Sequence, residues 1–467
     1  MQIKQLKLEN LGQFRLLDIE FAPTASTPSN VTVLIGNNGA GKTSILKALA
    51  TSLSWFVSRV RSEKATGNPI LEHQILNGTN SAAITITVKD QNEYQWTIAK
   101  SRSGRKGDHT SSLHEATSLA EHYRNRLTEN ESTSLPVIAF YPVERSVLDI
   151  PLKIREKHSF LQLDGYDNSL NQGVDFRRFF EWYREREDVE NEAYRPSALR
   201  DFERLSSLVE NSEERLEKID PLNFKALSVE MKKMEEAVRL MRRIQSQPKE
   251  SQLSAVRSAL ESFMPGFRNL KVRRKPRLHM TIEKNNETLD VAQLSQGEKS
   301  LMALVGDIAR RLSMMNPQLS DPLLGNGVII IDEIDMHLHP QWARTLIERF
   351  TSTFPNCQFV LSTHSPLVIS DYKDALIYSL ENGVLNPVPS LYGEDANTVL
   401  LGVMDTDIRN AAVAKKFNDL LDLIQDSKLI LAKALLSELE NEIPVYNLEL
   451  NKAQLMLRKE ELRLEKN

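Results

Sequence analysis

The chain has 467 residues, 40% of them hydrophobic, and a formal net charge of −4. This length suits about two to four domains, and no apolar run approaches the roughly 20 residues that span a membrane. A single cysteine, Cys357, excludes an internal disulfide and is typical of the reducing cytoplasm. We therefore expect a globular cytoplasmic protein with no membrane partner, and any contact with DNA has to be local because the overall charge is negative.

The first 35 residues contain three predicted strands, and the third, VTVLI, runs into a loop that fits G-x-x-x-x-G-K-[ST]. A helix-like segment follows the loop. In such a loop backbone N–H groups face phosphate oxygens, and the helix N-terminus adds partial positive charge. The predicted nucleotide-binding residues are Gly36, Asn37, Asn38, Gly39, Ala40, Gly41, Lys42, Thr43 and Ser44. We expect Lys42 to reach the outer phosphates and Thr43 to bind Mg²⁺.

Residues 81–100 alternate apolar and polar positions, which predicts an antiparallel pair of strands beside the nucleotide. The polar segment 101–134 is expected to be mobile. It is followed by a buried strand, PVIAFY, and a loop that contains Glu144 and Arg145. Arg145 is a candidate for sensing the γ-phosphate.

Helix-forming residues dominate 174–260, with a predicted break near Asp220-Pro221. Four aromatic residues at helical spacing there indicate a core face, namely Phe176, Phe179, Phe180 and Tyr183. Strands return after residue 266, with a hairpin turn at Asn285 and Asn286, and the chain is helical again from about residue 405.

Three further motifs contain candidate binding or catalytic residues. LSQGEKS at 294–300 opens a predicted helix, with Ser295 as N-cap and Glu298 at the third helical position. GVIIID is a buried strand, so that Asp332 at its tip can hold Mg²⁺ and Glu333 can accept the proton of an attacking water. QFVLSTHSP is another buried strand that places His364 just past its end, where a ring nitrogen can bond the γ-phosphate.

These motifs, in this order, resemble the ABC-type ATPase heads of the RecF, SMC and OLD branch. The resemblance implies an α/β ABC-ATPase head, with a mixed sheet and an antiparallel β-layer, that binds ATP and Mg²⁺. It also implies a head-to-head homodimer, or higher homo-oligomer, in which ATP on one subunit meets the signature of the other. The signature residues in trans would be Ser295, Gln296, Gly297 and Glu298. The predicted domains are a first lobe at 1–173, a helical insertion at 174–260, a second lobe at 261–404 and a C-terminal helical region at 405–467.

Longer stretches resemble more closely the PtuA family, the ATPase subunits of Septu-type antiphage systems, including those encoded beside retron reverse transcriptases. Among these stretches are FYPVERSVLD, DEIDMHLHPQW and LYGEDANTVL. The resemblance implies a partner HNH nuclease of the PtuB type and, for the versions encoded beside retrons, the reverse transcriptase with its RNA–DNA product. The chain itself shows no nuclease pattern, since Asp405 and Asp407 have no flanking apolar strand. The helices from 405 onward are the candidate docking site for the nuclease.

Several alternatives stay open from the sequence. A RecF-like repair clamp, an OLD-like nuclease and a scaffold that binds ATP as a structural ligand share parts of this pattern. Two basic segments, 101–109 and 271–277, are either local DNA contacts or ordinary solvated surface. His337 and His339 lie beside carboxylates, but alternate too closely to form a well-set metal site.

Overall fold

The computed structural model describes residues 1–143, 160–171, 176–193, 251–404, 406–444 and 446–465, with a few isolated positions between 207 and 232. Predictions about Glu144, Arg145, Asp405 and the break near Asp220-Pro221 lie outside the described residues and stay predictions. Two compact units are present, Met1–Gly393 and Glu394–Asn467.

Within the described ranges the strands and helices alternate in the first unit, and the second unit is helical. The strands are β1 (Gln2–Leu11), β2 (Phe14–Glu20), β3 (Val31–Ile35), β4 (Ser81–Lys89), β5 (Glu93–Ser101), β6 (Val137–Tyr141), β7 (Phe267–Arg273), β8 (His279–Lys284), β9 (Glu287–Asp290), β10 (Gly327–Ile331), β11 (Cys357–Ser362), β12 (Leu376–Glu381) and β13 (Val384–Val388). The helices are α1 (Lys42–Arg61), α2 (His114–Glu129), α3 (Phe176–Ala193), α4 (Ser251–Phe263), α5 (Gln296–Met315), α6 (Pro340–Thr353), α7 (Pro366–Ser370), α8 (Ala396–Gly402), α9 (Ala411–Gln425), α10 (Leu429–Glu442) and α11 (Leu448–Glu465).

A six-stranded sheet forms the centre of the first unit, in the order β13-β12-β3-β11-β10-β6. All neighbours in it are parallel except β12 and β13, which form an antiparallel hairpin. Every residue of β3, β6, β10 and β11 is buried, as expected for strands covered on both faces. Cys357 is buried at the start of β11, and burial raises the pKa of its thiol to about 12.

A second sheet lies in the order β2-β1-β4-β5, and its strands are antiparallel. It contains the predicted strand pair at 81–100. A third sheet pairs β7, β8 and β9. Asn285 and Asn286 join β8 to β9 with positive φ angles of 51° and 71°, which asparagine tolerates better than most residues. The predicted α/β class, with a mixed sheet and an antiparallel layer, is confirmed.

The polar segment 101–134, which we expected to be mobile, contains a regular helix, since α2 spans His114–Glu129. Its buried face consists of Ala116, Leu119, Ala120 and Tyr123. The Tyr123 ring contacts Phe56 of α1 edge-to-face, with 5.8 Å between ring centroids. Four buried residues are enough to pack this helix against α1. Because the rest of the segment is polar, these four residues hardly change its average polarity.

Helix α5 carries a buried ion cluster, which we define as Asp307, Arg310, Arg311 and Tyr141. The Asp307 carboxylate accepts bonds from Arg310 Nη2 at 2.6 Å and Arg311 Nε at 2.7 Å. The Tyr141 hydroxyl donates to it at 3.0 Å. All four residues are almost fully buried, and Arg311 donates further to the Gly165 carbonyl at 2.6 Å. The predicted core aromatics Phe176, Phe179, Phe180 and Tyr183 are also buried.

The second unit is built from α8 to α11 and has its own apolar core. Its buried residues include Phe417, Leu420, Leu436, Leu439, Leu450 and Leu457. On the opposite side of α11, Leu448 and Leu455 are 66% and 72% exposed. Among the described residues, no helix combines the length and apolarity that crossing a bilayer requires.

Candidate functional site

The candidate site lies at one edge of the six-stranded sheet, where three neighbouring parallel strands end. The phosphate loop follows β3, His364 follows β11, and Asp332 with Glu333 follows β10. Ligands of parallel sheets bind outside the carboxyl ends of the strands. The fold therefore brings the phosphate loop next to two motifs far along the chain, since Asp332 follows Thr43 by 289 residues and His364 comes later still.

The phosphate loop is shaped by close backbone packing. Gly41 has a φ of +105°, and a Cβ placed on it would lie 2.6 Å from the Phe14 ring. Only glycine fits such a position. Lys42 begins α1 directly after it.

Lys42 is only 6% exposed, and its ammonium group donates to the carbonyl oxygens of Gly36 at 2.7 Å and Asn37 at 3.2 Å. Burial lowers the pKa of Lys42, and the carboxylates of Asp332 and Glu333 oppose that shift. The amine is thus held over the loop by carbonyl oxygens, in a place where phosphate oxygens would be stronger partners.

Asp332 is 1% exposed and is held by two hydroxyl groups. Thr43 Oγ1 donates to its Oδ2 at 2.7 Å, and Ser362 Oγ donates to its Oδ1 at 2.5 Å. A threonine hydroxyl beside a carboxylate supplies the hard oxygen ligands that Mg²⁺ prefers. The residues present therefore fit a magnesium ion held by Thr43 and Asp332.

Glu333 occupies a turn directly after β10, with a φ of +46°, an uncommon value for a residue with a side chain. Its amide donates to Ser362 Oγ at 2.8 Å. One serine hydroxyl thus links both carboxylate residues. The sequence analysis missed Ser362, although a polar residue that ends an otherwise apolar strand beside His364 could have drawn attention to it.

His364 is exposed at the surface of the site. Partial burial is the largest cause that lowers the pKa of His364, and the positive charge of Lys42 lowers it further. Three neighbouring carboxylates act in the opposite direction and raise the pKa. The preceding residue, Thr363, donates its hydroxyl to Asp335. At neutral pH the imidazole is therefore uncharged, and can donate one hydrogen bond while it accepts another.

The signature sequence begins α5 as predicted. Ser295 and Glu298 form a capping box, in which the Ser295 amide donates to Glu298 Oε2 at 2.9 Å and the Glu298 amide donates to Ser295 Oγ at 3.3 Å. Ser295 and Gln296 are exposed, whereas Gly297 is buried against the His337 carbonyl, which leaves no room for a Cβ. The signature therefore packs against the turn that follows Glu333, and in the described part of the chain no hydrogen bond joins Ser295 to the phosphate loop.

A comparison with known protein families covers most of the chain. Residues 1–369 match the family model described as AAA ATPase domain. The chain belongs to this family.

Three relatives extend the comparison. The ATPase is 35% identical to the Retron Ec83 probable ATPase of Escherichia coli over 403 residues, which cover 82% of this chain and 72% of the relative. It is 31% identical to the Retron Vc95 probable ATPase of Vibrio cholerae serotype O1 biovar El Tor, over 86% of this chain and 79% of the relative. A shorter match, 30% identical, covers 26% of this chain and 18% of the Septu protein PtuA of Bacillus mycoides (strain KBAB4). The predicted resemblance to Septu and retron ATPases is confirmed.

The sequence analysis also missed Gln13. This residue lies in the turn between β1 and β2, and its side-chain amide donates to the carbonyl of Ala40 in the phosphate loop. The turn thereby contacts the loop of the ATPase from the antiparallel layer. Nothing in the spacing of Gln13 from the loop in sequence indicated this contact.

His339 has a structural role in the ATPase. Its Nδ1 accepts the amide of Gln341 at 3.3 Å, so that the imidazole caps α6. Over the ranges that the structure describes, no group of three histidine, cysteine or acidic residues is arranged to hold a metal ion. A capping contact suffices to explain this histidine.

Proposed function

We propose that this ATPase closes as a head-to-head homodimer over two ATP molecules, hydrolyses them slowly, and thereby controls a separate HNH nuclease in antiphage defence. The observation that carries the proposal is the Thr43–Asp332–Ser362–Glu333 chain of hydrogen bonds beside Lys42. It holds the magnesium ligand Asp332 and the backbone of the candidate base Glu333 beside the start of α1.

Each residue has a distinct role in the proposed reaction. Lys42 exchanges its carbonyl partners for the β- and γ-phosphates, and Glu333 accepts the proton of the attacking water. His364 bonds the γ-phosphate through its neutral imidazole. When bound, Mg²⁺ supplies neutralisation of phosphate charge, and Thr43 and Asp332 are the residues that would hold it.

The proposed dimerisation rests on hydrogen-bond donors to the γ-phosphate that one subunit does not supply by itself. A single phosphate loop leaves part of the γ-phosphate charge without donors, and the exposed N-terminus of α5 presents the Ser295 hydroxyl and helix amides. A helix N-terminus favours an anion. Since Ser295 does not bond its own loop, we propose that it serves the loop of the second copy.

The relatives support the defence part of the proposal. Two are named retron probable ATPases and one is named a Septu protein. We propose that the partner is an HNH nuclease of the PtuB type that docks on the C-terminal helices. A retron reverse transcriptase with its RNA–DNA product would complete the complex where the gene lies beside a retron. We also propose a cytoplasmic location, on the basis of the single buried cysteine.

The test is the substitution Glu333→Gln, which keeps the size of the side chain but removes the base. We expect ATP binding to persist and phosphate release to fall by about 10²–10⁴-fold, the usual contribution of a general base. The trapped ATP should hold the protein as a dimer in light scattering. Glu348→Gln, at an exposed position of α6, is the matched control and should hydrolyse like the wild type. Normal phosphate release by Glu333→Gln, or a monomer that hydrolyses at the full rate, would refute the proposal.

A further inference from the structure

The end of β7 and the turn that follows it concentrate positive charge, and we call residues 271–277 the basic turn. Residues 271–277 read KVRRKPR, and all five basic side chains in this basic turn are exposed. They are Lys271, Arg273, Arg274, Lys275 and Arg277. The chain as a whole has a net charge of −4, so this cluster is a local concentration of positive charge.

Three of the four carboxylates close to the basic turn pair with arginines outside it. Glu190 accepts from Arg257 at 2.8 Å and 3.1 Å, and Glu187 lies 3.6 Å from the same guanidinium. Glu283 pairs with Arg268 at 3.1 Å. Asp188 forms an ion pair with Arg274, which still leaves Arg274 61% exposed.

Three charges of the basic turn are therefore not neutralised. Within the described ranges, no ion pair is formed by Arg273, Lys275 or Arg277. Side chains of this kind attract anions from solution, most strongly at low salt.

The backbone beneath these charges is fixed. The Val272 amide donates to Glu187 Oε2 at 3.0 Å, and the Tyr183 hydroxyl donates to the Leu270 carbonyl at 2.6 Å. Together with the Arg274–Asp188 pair, these bonds attach the basic turn to α3. The cations are thus presented from a defined platform, which reduces the ordering that binding costs.

We propose that the basic turn binds the phosphate backbone of a nucleic acid. Guanidinium and ammonium groups are the side chains that contact phosphate oxygens. The basic turn carries no aromatic or amide side chain, so we expect contacts to phosphate oxygens, which carry no sequence information, to dominate binding. It also offers no large exposed apolar residue to insert into a bilayer, which favours nucleic acid over a lipid surface.

Fluorescence anisotropy of the full-length protein tests this proposal, with a labelled 30-base-pair DNA duplex as the probe. Single-stranded DNA, an RNA–DNA hybrid and anionic phosphatidylserine vesicles are tested in parallel. The variant Arg273→Gln/Lys275→Gln/Arg277→Gln removes the three charges. Its matched control, Lys428→Gln/Lys433→Gln/Lys452→Gln, removes three exposed charges from the second unit.

We expect the triple variant of the basic turn to bind at least ~10-fold more weakly in 50 mM salt. Its log–log salt slope should be smaller by about 2.7, since each phosphate contact contributes about 0.9. The control variant should bind like the wild type. Equal binding by the two variants, no binding by the wild type in 50 mM salt, or binding to the vesicles alone would overturn the proposal.

The outcome is independent of the proposed hydrolysis, because the basic turn contributes no residue to the candidate site. ATPase rate and thermal midpoint should be unchanged in the triple variant. If that variant were nevertheless unstable, the single charge reversal Lys275→Glu at an exposed position would provide the same comparison.

Discussion

Removal of the Ser362 hydroxyl tests whether the candidate site depends on the positioning that the structure shows. In Ser362→Ala, the buried Asp332 carboxylate loses a donor at 2.5 Å and the Glu333 amide loses its acceptor at 2.8 Å. A hydrogen bond to a charged group contributes about 1.5–3 kcal/mol. Water cannot readily replace the donor, because Asp332 is 1% exposed. At about 1.4 kcal/mol per factor of ten, we expect a loss of roughly 10–100-fold in kcat, similar to other losses of support for a metal ligand.

The assay is steady-state phosphate release at saturating ATP, measured over a series of Mg²⁺ concentrations. Ser362→Ala should require more Mg²⁺, while binding of ATP alone changes little, because Lys42 and the loop amides are intact. Ser379→Ala is the matched control, since it removes a buried hydroxyl that bonds Glu381 at 3.0 Å in strand β12, which β3 separates from β11. Urea unfolding of both variants separates a stability effect from a catalytic one. The reasoning fails if Ser362→Ala hydrolyses ATP like the wild type, or if Ser379→Ala loses as much activity.

Two further predictions concern stability and partner binding. Asp307→Asn should lower the free energy of unfolding in urea by about 3–5 kcal/mol, because two buried arginines lose their counter-ion. The control Asp371→Asn removes an exposed ion pair and should lower it by at most about 1 kcal/mol. Burial alone would raise the pKa of Asp307, but its two arginines hold the pKa below the ordinary value; the stabilisation should therefore be complete at neutral pH and decline only as the pH falls below about 3.9. The double variant Leu448→Lys/Leu455→Lys changes the exposed side of α11. It should abolish co-purification with the proposed HNH nuclease and leave ATP binding intact. Lys452→Gln is the control, and co-purification of the leucine variant with the nuclease would contradict this docking site.

The central sheet was predictable from the sequence because its strands carry their signal locally. A run such as VIII at 328–331 has no polar position, which indicates burial on both faces. The hairpin at Asn285 and Asn286 was predictable for the same reason, since two adjacent asparagines tolerate the positive φ angles of a tight turn. Helix α2 was not predictable in this way. Its helical signal lies in a few buried residues that gain their stability from contact with α1.

The same distinction applies to the site. Motif residues such as Lys42 and Asp332 could be identified because a phosphate loop and a strand-end carboxylate each restrict a short stretch of sequence. Ser362 and Gln13 escaped because their importance comes from what lies opposite them in space, and a serine or glutamine at these positions is ordinary in sequence. Side chains that support a site are therefore harder to identify than those that perform its chemistry.

The hydrogen bonds around Asp332 also suggest how the two halves of the proposed dimer site affect each other. The Asp332 amide donates to the Tyr141 carbonyl at 2.9 Å, and the Tyr141 hydroxyl donates to Asp307 of α5 at 3.0 Å. One buried tyrosine thus contacts both the magnesium ligand and the helix whose N-terminus carries Ser295. Because buried groups of this kind cannot shift without losing their partners, a displacement of the Asp332 strand end would strain the bond to α5. If the protein dimerises as proposed, these buried bonds would couple the strand end that carries Asp332 to the helix that presents Ser295 to the second copy.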